Sequence, residues 1–214
     1  MEIIETAYEK FKHLGVAFSG GSDSLVVLDL VYNYDPRVKV LFVNTLNQFP
    51  ETYDYIERIK RMYCLNLVEV KPPENRALEI LEKGNYSPEA IFECCNYHKI
   101  QPFLKGIKQL GLDGIFVGIR RVEHEERAKE TYFSPRKNPP HTRIHPILDW
   151  SRDDVLDYIS FYNLPTNPLY DKGYTSLGCV HCTKPNPNPD VHERLGRDQR
   201  RERIQKVLRE AGYT

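Results

Sequence analysis

The sequence predicts an α/β fold: a mostly parallel, Rossmann-like sheet with helices on both faces. Three observations carry this. Short apolar runs at Val16–Ser19, Val38–Asn44, Leu67–Val70 and Gly114–Gly118 have the length and composition of buried strands. Between them lie longer stretches of helical period, as in Glu51–Tyr63, where Ile56, Ile59 and Met62 recur about every 3.6 residues. Strands that alternate with helices imply crossover units, which place neighbouring strands in parallel and cover both sheet faces.

Taken in order, residues 2–13 read as a short amphipathic helix ahead of the first strand. Asp23–Tyr34 is the helix after that strand, Glu51–Tyr63 the helix after the second. Further helices fall around 75–83 and 97–111. Asp153–Tyr162 is a helix introduced by Ser151, whose hydroxyl suits an N-cap. Residues 131–146 carry Pro135, Pro139, Pro140 and Pro146 and read as an extended loop. Residues 163–192 are dense in Pro, Asn and Gly, and the run GRDQRRERIQKVLREAGY suggests a basic C-terminal helix. One domain is expected over 1–214, with 163–214 a loop-rich and helical extension packed on it.

Lys+Arg and Asp+Glu both number 30, so the formal charge is zero and gives no global case for nucleic acid or an anionic membrane. No apolar run approaches the length needed to span a bilayer. The opening MEIIETAYEKFKHLG is charged and amphipathic, unlike a signal peptide. A cytoplasmic protein is expected, with its five cysteines as thiols or metal ligands rather than disulfides. A homo-oligomer is compatible with the sequence.

The most informative stretch is Ser19-Gly20-Gly21-Ser22-Asp23-Ser24, at the mouth of the first strand. Ligands of open parallel sheets bind beyond the carboxyl ends of strands. Two glycines let the backbone turn tightly, successive N–H groups make an anion nest, and Ser19, Ser22 and Ser24 add hydroxyl donors. An ordinary strand-to-helix turn would also use glycine and serine. Asp23 is the odd member, because a carboxylate in an anion site calls for a cation; Mg²⁺ bridging Asp23 and phosphate oxygens would supply it. The hexapeptide resembles the S-G-G-x-D-S pyrophosphate loop (PP-loop) of the adenine nucleotide α-hydrolase-like superfamily. That resemblance implies a PP-loop ATP pyrophosphatase type of sheet and a bound adenylyl nucleotide.

Four of the five cysteines fall in pairs: Cys94-Cys95, and Cys179 with Cys182 in GCVHCT. Together they supply the complement for structural zinc or for an iron–sulfur cluster, and adjacent cysteines suit a single tetrahedral zinc less well. Cys64, at a helix end, reads as a small buried apolar residue. The adjacent pair followed by GYTSLGCVHCT, residues 173–183, resembles the [4Fe-4S] signature of adenylylsulfate reductases. FVNTLNQFPETYDYI, VGIRRVEHEERAK, HPILDWSRDDVLDYI and LPTNPLYDKGY resemble further segments of that family, so the likeness runs over about residues 14 to 198. It implies a [4Fe-4S] cluster on Cys94, Cys95, Cys179 and Cys182, near the nucleotide phosphates.

Arg120 and Arg121 follow the fourth strand and should project at the rim of Ser19–Ser24, where guanidinium groups would pair with phosphate or sulfate oxygens. Asp23 and Arg121 are the candidate catalytic pair. Arg127 and Lys129 read as a solvated helix start, the His141-Thr142-Arg143 stretch as a candidate site wall, His145 as a structural loop residue, and Trp150 and Tyr158 as core.

Reductases of this family carry a C-terminal E-C-G-[LI]-H motif whose thiolate attacks sulfur. Here Glu210, Ala211 and Gly212 stand in that register, and no cysteine follows Cys182. The intact loop with this alanine resembles the cluster-bearing ATP pyrophosphatases of DNA phosphorothioate modification. The leading expectation is therefore an ATP pyrophosphatase that adenylates an acceptor for sulfur incorporation, with a cysteine desulfurase and DNA as partners. The alternative is a thiol-dependent adenylylsulfate or phosphoadenylylsulfate reductase working with thioredoxin. A nucleotide- and cluster-binding sensor is a third reading.

Overall fold

In the computed structural model, which describes residues 1–212, one sheet of six strands is found among the described residues. The strands are β1 (Leu14–Ala17), β2 (Lys39–Val43), β3 (Asn66–Val70), β4 (Gly114–Phe116), β5 (Phe133–Lys137) and β6 (Pro140–Ile144), in spatial order β3-β2-β1-β4-β6-β5. All neighbours are parallel except β5 and β6, which pair antiparallel. The helices are α1 (Glu2–Lys10), α2 (Ser22–Tyr34), α3 (Pro50–Met62), α4 (Ala77–Lys83), α5 (Pro88–Cys95), α6 (Gln101–Leu110), α7 (Glu125–Ala128), α8 (Arg152–Phe161), α9 (Gln199–Arg203) and α10 (Gln205–Glu210). No described helix is long and apolar enough to cross a membrane.

Side chains alternate along a strand, and here the alternation divides the core in two. Val16, Val40, Phe42, Phe116 and Ile144 pack with Ile4 and Ala7 of α1, Leu25–Leu28 of α2, Ile56 and Ile59 of α3, and Val155 and Ile159 of α8. Leu41, Val70 and Ile115 pack with Ile107, Leu112, Val117, Ile119 and Leu148 in a second cluster. Helices thus cover both faces, as the periodicity predicts. Trp150 and Tyr158 lie partly buried against the first cluster.

The topology decides where a ligand can bind. From β1 the chain moves outward to β2 and β3, then returns to place β4 on the other side of β1. The two loops that leave β1 and β4 at their carboxyl ends part at this switch point and open a crevice. Those loops hold Ser19–Ser24 and Gly118–Arg121.

Four sequence readings are corrected. Residues 131–146 are not a loop: they form the β5–β6 hairpin, and β6 extends the parallel sheet from β4. The prolines mislead because Pro135 lies in the edge strand and Pro140 opens its strand, two places where a missing N–H is tolerated. A helix at 88–95, unread in the sequence, precedes the 97–111 region, and a π-helical turn at Asn96–Ile100 joins it to α6. Cys64 is exposed rather than buried; it takes a left-handed φ of 49° just beyond α3. The basic run also divides into two short helices, α9 and α10.

A Cβ on Gly118 would lie 2.6 Å from the backbone C and O of Asp23 and 2.7 Å from Ser24 N. The obstacle is main chain, so the two loops must separate. Gly118→Ala is expected to destabilise the fold by about 1–3 kcal/mol through overpacking, read as a lower urea midpoint at unchanged slope. An unchanged midpoint would show that the loops do not meet.

Candidate functional site

The crevice between β1 and β4 is lined by Ser19, Gly21, Ser22, Asp23 and Ser24, with Gly118 and Ile119 opposite. Gly20 has φ +82° and turns the chain into α2, with Gly21 as its N-cap. The Ser24 hydroxyl donates to Gly21 O at 2.8 Å and accepts from Ser19 N–H at 3.3 Å, which stitches the loop shut on itself. Ser22 N–H donates to the Tyr170 hydroxyl at 2.8 Å, and that hydroxyl lies 3.2 Å from Ser22 Oγ. One donor of the nest is therefore already engaged by a phenol. Asn167 braces the same turn through Gly20 O.

Asp23 faces the crevice with a cation behind it. Its Oδ1 accepts from Arg120 Nε at 2.8 Å. Arg120 is fully buried and also grips Glu193, its Nη2 lying 2.8 and 2.7 Å from the two carboxylate oxygens. Arg152 adds a second hold on Glu193 at 3.0 Å. Burial pushes the Asp23 carboxyl up to about 6, with Glu123 adding to the rise and Arg120 opposing it. The buried Glu123 pairs with Arg127 and Arg194.

Positive charge enters the crevice from other elements. Lys99, Arg127, Arg143, Arg194 and Arg197 all line it. Arg143 of β6 lies over the Phe103 ring at 5.1 Å and donates from Nη2 to Gly212 O, so the end of the C-terminal segment is one wall of the crevice. Of the His141-Thr142-Arg143 stretch, Arg143 alone lines it; the His141 Nδ1 is held by Pro139 O at 2.7 Å. His145 is buried beside Glu130.

The two adjacent arginines part company. Arg120 holds the loop aspartate, whereas Arg121 turns its guanidinium to Asp149 and to the carbonyls of Ala128 and Glu130. The structure does not bring Arg121 to the crevice, because consecutive residues leaving a strand face opposite ways. Arg127, read as solvated, does reach it. Tyr170 lies in the family-like segment LPTNPLYDKGY, but no residue pattern marked Tyr170 or Glu193 as part of the site. The basic C-terminal run is largely engaged in ion pairs: Arg200 with Asp198, Arg201 with Glu202 and Arg209 with Glu130.

The four paired cysteines meet at a second, smaller cavity, which Cys94, Cys95, Cys179 and Cys182 line together with His98 and Arg201. Burial pushes the Cys94 thiol well up and the Cys182 thiol up to about 12, and the neighbouring cysteines add to both shifts. Cys94 and Cys182 so placed keep their protons unless a metal takes them. Among the described residues no group of three or more His, Cys, Asp or Glu is placed so that it could hold a metal ion. By chemistry alone, four sulfurs lining one cavity are the donor types of an iron–sulfur cluster or zinc, though they are not gathered around one point. Cys179, Lys99 and Arg197 line both cavities, so the two share a wall. The Thr45 hydroxyl lies 3.4 Å from Cys179 Sγ.

Known proteins share this arrangement of sequence and fold. A profile of the phosphoadenosine phosphosulfate reductase domain matches residues 13–185. An adenosine 5'-phosphosulfate reductase of Bacillus subtilis is 31% identical over 211 residues, covering 96% of this chain and 87% of its own. A phosphoadenosine 5'-phosphosulfate reductase of Buchnera aphidicola is 34% identical over 190 residues, covering 86% and 76%. The crystal structure of the phosphoadenylyl-sulfate reductase from Candida auris superimposes with a TM-score of 0.71 at 26% identity, covering 86% of this chain and 89% of the other. The Candida glabrata FMN adenylyltransferase shares the fold at a TM-score of 0.69 and 21% identity, covering 86% and 61%. With the domain profile spanning most of the chain and a 31% identical relative covering nearly all of it, the chain belongs to the phosphoadenosine phosphosulfate reductase family, a family of enzymes.

Proposed function

We propose that this protein binds an adenylyl sulfate in the crevice and passes its sulfo group to an external thiol, releasing AMP. The observation that carries the reading is the wall at Gly212: the segment where family reductases hold their nucleophilic cysteine reaches the crevice, yet position 211 is alanine. The thiol must come from outside this segment, from a dithiol protein of the thioredoxin type or a small thiol. A thiolate would attack the sulfur at roughly 3–3.5 Å in line with the bond to AMP. The S–S bond forms as the S–O bond breaks, and the electron pair leaves on the AMP phosphate. A second thiol attacks the S-sulfo thiol, giving a disulfide and sulfite; two thiols are oxidised as the sulfur is reduced.

The sequence alone favours ATP pyrophosphatase, and two features of the crevice weigh against putting it first. Asp23 already has Arg120 as its counter-charge, which removes the argument for Mg²⁺. Tyr170 occupies Ser22 N–H, a donor that a leaving pyrophosphate would use. The names of the relatives favour the sulfur chemistry as well. What favours the ATP reading is the complete Ser19–Ser24 loop with Asp23, and under it the acceptor, cysteine desulfurase and DNA remain the partners.

Anaerobic incubation with adenylylsulfate and reduced thioredoxin or dithiothreitol should release sulfite and AMP, whereas ATP–Mg²⁺ should release no pyrophosphate. Ala211→Cys should increase sulfite release roughly tenfold or more, because the nucleophile becomes intramolecular, and should leave an S-sulfonated protein visible by mass. Pyrophosphate from ATP with no sulfite would reverse the assignment, and AMP binding with neither product would favour the sensor.

Asp23 gives a pH signature. A bound anion beside it raises its carboxyl further, so the complex holds more protons than the free protein. Adenylylsulfate affinity should therefore be highest below pH about 6 and fall as pH rises through that value, and Asp23→Asn should flatten the fall. With Mg²⁺ bridging Asp23 and ATP the slope has the opposite sign, so titrations of both ligands separate the readings.

The four cysteines are proposed to hold a [4Fe-4S] cluster, supported by their convergence on one cavity. When bound, it would cross-link the Cys94-Cys95 helix to the Cys179–Cys182 turn beside the crevice. Protein purified without oxygen should be brown with about four irons per chain, and Cys94→Ser or Cys182→Ser should abolish the colour. A colourless chain with one zinc contradicts the cluster.

A further inference from the structure

Glu130 lies outside the crevice and is 3% exposed. Arg136 of β5 holds it by Nη2, 2.8 Å from each carboxylate oxygen. His145 Nε2 stands 3.8 Å from Oε2, too far for a hydrogen bond. The third partner comes from the C-terminal segment: Arg209 of α10 puts Nε 2.6 Å from Oε1. Burial alone would push the carboxyl up, but the hydrogen bonds of Arg136 and Arg209 hold it well below the usual carboxylate range.

Arg209 lies in the last turn of α10, one turn before the crevice wall. Three residues on, Gly212 lines the crevice and accepts from Arg143. The stretch Arg209–Gly212 therefore has two neighbours, Glu130 just before the β5–β6 hairpin and Arg143 within it. On its other side Leu208 is fully buried against Ile100, with Leu104, Cys95 and Ala211 in the same cluster.

The two arginines on Glu130 are not equivalent. Arg136 alone neutralises the carboxylate and bonds both of its oxygens, with its own side chain 19% exposed. The Arg209 side chain is 31% exposed. Breaking the Arg209 pair leaves Glu130 paired and returns Arg209 to water, so it avoids the penalty of an orphaned buried charge. That is the property of a contact able to open while the hairpin stays folded. The geometry points to Glu130 as a positioning residue: through Arg209 it seats α10 so that Gly212 forms a wall of the crevice, and that wall opens when the pair breaks.

Hydrogen exchange in the unliganded full chain tests the seating directly. Arg209→Gln keeps helix propensity and leaves the Glu130–Arg136 pair in place. It should speed exchange across 205–212 about tenfold while β5 and β6 amides keep their wild-type rates. Arg209→Lys, which can still donate to Glu130, should restore wild-type rates, a rescue that a purely structural loss would not give. Glu130→Gln should reproduce the Arg209→Gln exchange pattern in α10. The link to the crevice rests on the adenylyl-nucleotide reading, and AMP is its probe: Arg209→Gln should weaken AMP binding about fivefold, because a smaller fraction of molecules has the wall in place. If wild type fails to bind AMP, the nucleotide reading falls and exchange alone decides the seating. Wild-type exchange at 205–212 in Arg209→Gln, equal acceleration in β5, β6 and α10, or no rescue by lysine overturns the proposal.

Discussion

Arg120 is the interaction on which the site depends. A guanidinium with 2% of its side chain exposed holds Asp23 from the first turn of α2 and Glu193 from the C-terminal segment that lines the crevice. Three stretches far apart in sequence are pinned to one cation. Removing one partner of a buried pair strands the others and destabilises by about 3–5 kcal/mol. The charge pattern around it is consistent: Glu123 is matched by Arg127 and Arg194, and Arg194 in turn by Glu202. Carboxylates beside an anion-binding loop are tolerable only in such a matched array.

Much of this was legible in the sequence, for a physical reason. Buried parallel strands must be apolar throughout, so β1, β2 and β4 stand out as runs of Val, Leu, Ile and Phe. The Ser19–Ser24 loop shows itself because few turns need two glycines, three serines and an aspartate. The hairpin was illegible, since edge position is a tertiary fact and prolines look the same in a loop. Arg120 and Arg121 could not be told apart because only the strand's phase separates them. Convergence of the cysteine pairs on one cavity agrees with their pairing in sequence; that Cys179 also lines the crevice could not be read from spacing.

The crevice and the cysteine cavity form one connected region. The stretch Thr175–Gly178 lines the first and continues directly into Cys179, which lines both. Gly178 lets that stretch lie against Arg197, since a Cβ there would fall 2.4 Å from the guanidinium. A change at either cavity therefore acts on the other through backbone of only a few residues.

The π-helical turn at Asn96–Ile100 has a consequence for how the chain can vary. Residues 88–110 run as one continuous helical rod whose two halves differ in phase, because a wider turn interrupts it directly after Cys95. The face carrying Cys94 and Cys95 is thereby set independently of the face by which Ile107 joins the sheet. His98 marks the joint: its ring accepts Arg76 N–H at Nε2 and meets Thr45 O at Nδ1, 3.0 Å away. Loss of a single residue here would leave a regular rod of nearly the same length, with the cysteines swung around its axis and away from Cys179 and Cys182. The geometry thus constrains the residue count of the rod more tightly than the identity of the residues along it.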